Sequence, residues 1–358
     1  MIRILHAADL HLDSPFAAMT PDRAKLRRAE QRQVLVRLVE ECNRRSCHLL
    51  LLAGDLFDSE QVYRETAELL CQLLKNCHAK VFISPGNHDY WSPTSLYATI
   101  PWPKNVHIFR SEQIEAVKLD NPNVTVYGAA FTGPCCGPLL HGFRAAQGPA
   151  VMVVHGELSD RSGKYNPISV ADVAGSGLNY LALGHIHEDS LRRVGSTSVG
   201  IPGCAMGRGF DETDEKGAFY VELDAEGCRV SPVPLGATQY RICTVPVKED
   251  PLQSILDTLP TDSADHIYRI ILKGTCPKPD LEQLRQALAQ KCAALELVDQ
   301  TEPPADLWAS AGEDNLKGAF LRRLQPVFEQ AAGEDRQTVS LAVRIGLALM
   351  EGREVPTE

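Results

Sequence analysis

Three short apolar runs near the start of the chain each stop on a cluster of polar residues, with helical stretches between them. Residues 2 to 8 lead into Asp9, residues 48 to 53 into Gly54-Asp55, and residues 81 to 84 into Pro85-Gly86-Asn87. From Pro21 to Arg45, Val34, Leu35, Leu38, Val39 and Cys42 recur at helical spacing, and a second helix is expected from Val62 to Cys77. Strand, helix, strand, helix, strand implies parallel strands joined by right-handed crossovers. In such sheets ligands collect beyond the carboxyl ends of the strands, where these polar clusters fall. Residues 124 to 130 form another strand-like run, and residues 150 to 154 and 180 to 183 repeat the pattern, ending at His155-Gly156 and Gly184-His185. Short β-type segments follow around 196 to 200, 217 to 223 and 228 to 234. The expected fold is α/β: a β-sandwich of two sheets flanked by helices, in four αββα layers.

Composition shifts near Tyr240, which sets the expected domains. Residues 1 to 240 form the catalytic unit and 241 to 300 a small α/β cap, with strands at 241 to 247 and 267 to 273 and a helix at 280 to 295. Residues 301 to 358 form a C-terminal helical segment that begins with the linker Thr301-Glu302-Pro303-Pro304. Helices are expected around 313 to 325 and 338 to 351, with Pro326 ending or kinking the first. Leu316, Phe320, Leu324 and Phe328 make an apolar stripe there, which packs within its own domain or serves as a partner groove.

Five motifs carry chemistry, in this order: Asp9-Leu10-His11, Gly54-Asp55-Leu56-Phe57-Asp58, Gly86-Asn87-His88-Asp89, His155-Gly156 and Gly184-His185-Ile186-His187. Any one alone reads as a turn or a cap. Together they bring carboxylates, imidazoles and an amide to one sheet edge, and burying so many polar groups without compensation is costly. Bound cations relieve that cost by taking the lone pairs. Mixed carboxylate, imidazole and amide donors suit Mn²⁺, Fe²⁺ or Zn²⁺ rather than Cu(I) or an iron–sulfur cluster. So many donors suit two ions sharing a bridging carboxylate, the arrangement that clamps both oxygens of an in-line phosphoryl displacement.

The ordered motifs resemble those of the calcineurin-like metallophosphoesterases, and within them the bacterial DNA-repair exonucleases related to SbcD. The opening from His6 to Phe16, the run Ala53 to Asp58, and the segment Pro202 to Glu212 trailing into Glu215-Lys216-Gly217 carry the closer likeness, over roughly residues 1 to 220. The resemblance implies that Asp9, His11 and His187 hold one metal and Asn87, His155 and His185 the other, with Asp55 bridging. It further implies that a metal-bound hydroxide attacks the phosphodiester, that His88 protonates the leaving oxygen, and that Asp58 orients His88. The two cofactor ions are expected to be divalent, with manganese placed first and iron or zinc as alternatives. Further implications are a DNA substrate, an SMC-like ATPase partner whose coiled coil receives the C-terminal helices, and a homodimer.

Charge and cysteines bound the setting. The net charge of −10 counts against a broad phosphate-binding surface, though two divalent ions would add positive charge where a phosphate sits. Arg23, Lys25, Arg27, Arg28 and Arg32 cluster, as do Arg192-Arg193 and Arg322-Arg323. Eleven scattered cysteines without a Cys-x-x-Cys suit a reducing cytoplasm, and the vicinal Cys135-Cys136 is read mainly as ordinary thiols. Neither a signal peptide nor a membrane span is read in the chain. His6 and His48 are expected as packed or capping residues. The leading function is a metal-dependent phosphodiesterase, an exonuclease or endonuclease of DNA repair. A phosphoesterase of small nucleotides or cyclic phosphodiesters is the alternative, and a non-catalytic module for DNA ends or a partner is a third reading.

Overall fold

Along the strand Ile2–Ala7, Ile4 packs to one side of its sheet and Leu5 and Ala7 to the other. Leu49 and Leu51 of the strand Leu49–Leu52 likewise oppose Leu50 and Leu52. Alternate residues therefore leave on opposite faces, and because both faces are buried, Leu49–Leu52 is apolar throughout. The computed structural model describes residues 1 to 354 apart from 60, 161, 249, 304 and 305.

Two six-stranded sheets result. The first runs in the order Gly227–Pro234, Gly217–Asp224, Ile2–Ala7, Leu49–Leu52, Lys80–Ile83, Val106–Ile108. Its last four strands are parallel, and Gly217–Asp224 joins antiparallel. The second runs Ser190–Val194, Thr197–Ile201, Tyr180–Gly184, Ala150–His155, Asn123–Gly128, Glu115–Asp120, with a parallel centre and antiparallel edges. Ile4, Leu49, Leu51 and Phe82 of the first sheet pack with Val126, Val151, Val153 and Tyr180 of the second, making the sandwich interior. The outer face of the first sheet is covered by the helices Pro21–Arg44 and Arg64–Lys75, through Val34, Leu35, Leu38, Leu70 and Leu74. Pro21 starts the longer helix where a missing N–H does no harm. The outer layer of the second sheet is thinner: the six-residue helix Val170–Gly175 with loops, through Val173 and Leu178. This is the expected αββα sandwich.

The chain divides into two compact units. The first comprises Met1–Cys243, Pro260–Ile270 and Leu288–Glu296; the second comprises Thr244–Leu259, Ile271–Ala287 and the described chain from Leu297. Both sandwich sheets lie in the first. A third sheet orders the strands Tyr240–Val247, Ile267–Thr275 and Ala294–Glu302, and the first unit takes the opening residues of each.

Several expectations are corrected here. The helix expected over 280 to 295 ends at Ala287, and Ala294–Glu302 is a strand. Leu297 is its buried anchor, and its alternating Leu295-Glu296-Leu297 pattern suits a strand. Thr301 and Glu302 therefore belong to that strand, not to a linker, and Pro304 lies outside the described residues. In the second unit the helix Leu316–Gln330 continues through Pro326, an exposed position, and is followed by Gly333–Met350. Part of the apolar stripe packs inside the unit: a Cβ on Gly346 would stand 2.3 Å from the Phe320 ring, and Phe328 meets Trp308 with ring centroids 5.5 Å apart.

Candidate metal centre

The five motifs emerge at the carboxyl ends of five strands. Asp9 and His11 follow Ile2–Ala7, Asp55 and Asp58 follow Leu49–Leu52, and Asn87 and His88 follow Lys80–Ile83. From the second sheet, His155 ends Ala150–His155, and His185 and His187 follow Tyr180–Gly184. Backbone bonds tie the first two loops together: Asp9 N–H donates to Gly54 O at 3.1 Å and His11 N–H to Asp55 O at 2.9 Å. The His11 carbonyl is fixed in turn by Gln31 Nε2 at 2.7 Å and Ser14 Oγ at 2.8 Å.

The turns are tight. Asp9, His11, Asp55 and His185 all take positive φ, at 50°, 44°, 48° and 91°. Asp and His tolerate this region better than most side chains, yet each such residue still stores some strain, which tends to persist at functional sites. Two glycines give the centre its room. A Cβ on Gly54, itself at φ +86°, would stand 2.3 Å from His155 Nδ1, and one on Gly86 would stand 2.1 Å from Asp55 Oδ1.

The donors face one another at distances that a cation between them would reconcile. His11 Nε2 and His187 Nε2 are 3.3 Å apart, and His187 Nε2 is 3.8 Å from Asp9 Oδ1. His155 Nδ1 is engaged with the Ala53 carbonyl at 3.0 Å, so its Nε2 lone pair faces Asn87 Oδ1 at 2.9 Å and Asp55 Oδ2 at 3.5 Å. Asn87 Oδ1 also lies 3.2 Å from His185 Nδ1. Two groups of donor atoms, Asp9-His11-His187 and Asp9-Asp55-His155, each lie within 4.8 Å of one another. Acceptors and lone pairs thus converge on two adjacent points, with Asp55 reaching both sides through His11 Nε2 at 3.8 Å and His155 Nε2 at 3.5 Å. The residues fit two divalent ions.

Charge supports that fit. Burial, followed by the charge of Asp55, pushes the Asp9 carboxyl well above its usual range. Burial also works against Asp55, but His155, His11 and the His88 backbone N–H outweigh it and keep Asp55 low. Burial lowers His11, and burial with the neighbouring imidazoles takes His185 down to about 4, so both stay neutral and available as ligands. A ligating imidazole usually holds its remote nitrogen on an acceptor. His187 Nδ1 does so on Glu212 Oε1 at 2.5 Å, and His11 Nδ1 sits 3.0 Å from Asp58 Oδ1, close enough to pair though not aligned as a full hydrogen bond.

Asp58 is therefore placed differently from the expectation. Its carboxylate pairs with His11 and with Arg208 Nη1 at 2.8 Å, rather than reaching His88 by a hydrogen bond. His88 stands exposed at the rim, its ring 5.1 Å from that of His11 and its backbone N–H on Asp55 Oδ1 at 3.0 Å.

Three residues of the site had no role in the sequence reading. Arg208 bridges Asp58 and Glu212, at 2.8 and 3.1 Å, and Glu212 accepts from the Arg208 backbone N–H at 2.7 Å. Burial opposes the Glu212 charge, but His187 and Arg208 hold it well below the usual range. Asp89 accepts from Gly86 N–H, Phe57 N–H and Tyr97 Oη at 2.8, 3.1 and 2.6 Å, so it locks the Asn87-His88 turn. One Arg and three acids in the Gly-rich stretch 207 to 214, downstream of two histidines needing remote acceptors, was the available signal. Cys135 is exposed, Cys136 is buried and pushed up to about 12 by burial, and both are free thiols.

The family model of the calcineurin-like phosphoesterases matches residues 2 to 189, which holds all seven donors. The chain is a calcineurin-like phosphoesterase. As a member of that family it is a metal-dependent phosphoester hydrolase. It is 28% identical over 354 aligned residues to an uncharacterized metallophosphoesterase, YhaO, of Bacillus subtilis (strain 168), covering 91% of this chain and 85% of that one. Solved structures that it resembles include TT1561 of Thermus thermophilus, at 12% identity and a TM-score of 0.40 over 64% of this chain and 98% of that one. A dimetal phosphatase from Danio rerio is similar at 10% identity and a TM-score of 0.42, over 63% and 93%.

Proposed function

We propose that this calcineurin-like phosphoesterase is a phosphodiesterase that cleaves DNA, with manganese in both metal positions. The observation that carries the reading is His88, an exposed imidazole at the rim of a buried donor set, placed where it can hand a proton to a departing oxygen. When bound, the two cations supply Lewis acidity and acidify water at neutral pH. Asp9, His11 and His187 would hold one ion and Asn87, His155 and His185 the other, with Asp55 between them. Asp58 and Glu212 orient His11 and His187, and Arg208 ties those two carboxylates together. The likeness of the Pro202 to Glu212 segment to the SbcD-related exonucleases supports DNA as substrate, because that segment builds Arg208 and Glu212 into the site.

The proposal extends to an SMC-like ATPase partner received by the two C-terminal helices, where Leu316, Val327, Leu349 and Met350 are exposed, to a homodimer, and to a cytoplasmic setting. No described helix is long and apolar enough to cross a membrane. A second reading, hydrolysis of small nucleotides or cyclic phosphodiesters, is favoured by a cavity of about 730 Å³ beside Asp58 and Glu212. End-labelled linear DNA incubated with the protein and Mn²⁺, Mg²⁺ or EDTA tests the first reading. Shortened products with Mn²⁺ that vanish in EDTA support it; intact DNA alongside hydrolysis of a cyclic dinucleotide moves the conclusion to the second.

A further inference from the structure

The cavity beside the metal centre is built chiefly from the loop Ser14 to Met19, the loop Arg208 to Glu212 and the opening residues of the third sheet, all in the first unit. Its volume of about 730 Å³ falls within the usual range of small-ligand pockets. Asp58, Arg208 and Glu212 line it, and they are the same groups that touch His11 and His187. Whatever sits in the cavity therefore lies one group away from a phosphate held at the metals.

The remaining wall mixes aliphatic residues such as Met19 and Ile267 with a cluster of rings and guanidinium groups. The Arg269 guanidinium lies over the Phe210 ring at 4.2 Å, and Phe210 meets Tyr240 edge-on at 5.1 Å. Arg27 sits behind them, 5.3 Å from the Tyr240 ring centre and 5.8 Å from that of Phe16. Rings and guanidinium planes are the surfaces on which nucleobases stack. The ion pairs argue for a neutral guest. Arg269 is held by Glu296 through two 3.0 Å bonds, and Arg208 by Asp58 and Glu212, so a bare phosphate would meet charges already satisfied. Arg23, exposed at the edge, makes no ion pair among the described residues and is free to meet the next phosphate of a chain.

We infer that this cavity seats the nucleoside flanking the scissile phosphate, its base packed against the stacked pair of Phe210 and Arg269. The inference rests on the phosphodiesterase reading above. The test compares thymidine 5′-(p-nitrophenyl) phosphate with methyl p-nitrophenyl phosphate in Mn²⁺, for the wild type, Phe210→Ala and Phe210→Leu, with dTMP binding measured by calorimetry on the same proteins. Both variants should raise KM for the thymidine ester by about 5- to 150-fold, the range of a lost base stack, and weaken dTMP binding in parallel. Turnover of the methyl ester should not change. The leucine variant keeps an apolar side chain without a ring, so a folding defect in the alanine variant does not decide the matter. Equal KM changes on both esters, or dTMP binding unchanged in Phe210→Leu, would overturn the pocket while leaving the hydrolase intact. If neither ester is cleaved but dTMP binding still depends on the Phe210 ring, the phosphodiesterase reading fails and the pocket stands.

Discussion

Glu212 Oε1 lies 2.5 Å from His187 Nδ1, so a carboxylate 25 residues downstream sets which nitrogen of that imidazole faces the metal centre. The same carboxylate is held by Arg208, which also bonds Asp58 beside His11. Two imidazoles, from the loops after different strands, are thus aligned by one three-residue network.

Replacing Glu212 by Gln keeps the size of the side chain but removes the charge that fixes the tautomer. Mn²⁺ affinity should fall by about 10- to 100-fold, the usual effect of losing such a partner. Titration calorimetry on wild type and Glu212→Gln measures it; equal affinities would show that the contact does not orient His187.

His88 leaves its side chain exposed at the rim of the donor set while its backbone N–H holds Asp55 at 3.0 Å. Substitution by alanine keeps that backbone bond and removes only the imidazole. His88→Ala should therefore bind metal normally and melt at the wild-type temperature, with kcat on a DNA phosphodiester lowered by about 10²- to 10⁴-fold. Joint loss of metal and activity would instead make His88 a ligand.

Gly86 has no space for a side chain, since a Cβ there would stand 2.1 Å from Asp55 Oδ1. Gly86→Ala should destabilise the fold by about 1–3 kcal/mol, the scale of an overpacked site, and displace Asp55 from its metals. Gly137→Ala, with nothing within 4 Å, is the control and should change neither. Chemical denaturation and metal titration of the pair give the comparison.

His6 shows how the sandwich interior responds to pH. It is fully buried, Nδ1 2.8 Å from Tyr180 Oη, and burial lowers it from 6.5 to about 3. As pH falls below about 6.5 the unfolded chain takes up this proton and the folded one does not. The stability from keeping His6 neutral is complete above that pH and declines as pH drops toward about 3, by at most ~1.4 kcal/mol per pH unit. Urea unfolding between pH 7 and pH 5 should show a steeper loss for wild type than for His6→Gln. Parallel slopes would mean that His6 is protonated in the fold.

Much of the fold was legible because the central strands of both sheets are buried on both faces. Apolar runs such as Leu49–Leu52 need no partner information to be read as strands, and the polar residue at the end of each marks the carboxyl edge. The convergence of Asp9, His11, Asp55, His155 and His187 on one sheet edge was legible for the same reason. Arg208 and Glu212 were not, because their role depends on which imidazole nitrogen each long loop reaches, a relation across the sheets that sequence spacing does not encode. Asp58 was expected to orient His88; its carboxylate pairs with His11 and lies within 4.8 Å of a His88 ring nitrogen. In the region after Tyr240, strands of mixed composition carry weak periodicity, so the first residues of Ala294–Glu302 were read as the end of a helix and its last two as a linker.

A two-ion centre bridged by Asp55 is tested most directly by counting its ions. Equilibrium dialysis against Mn²⁺ followed by elemental analysis should find two ions per chain in the wild type and one or none in Asp55→Asn. A single ion in the wild type, or two retained in the variant, would contradict it.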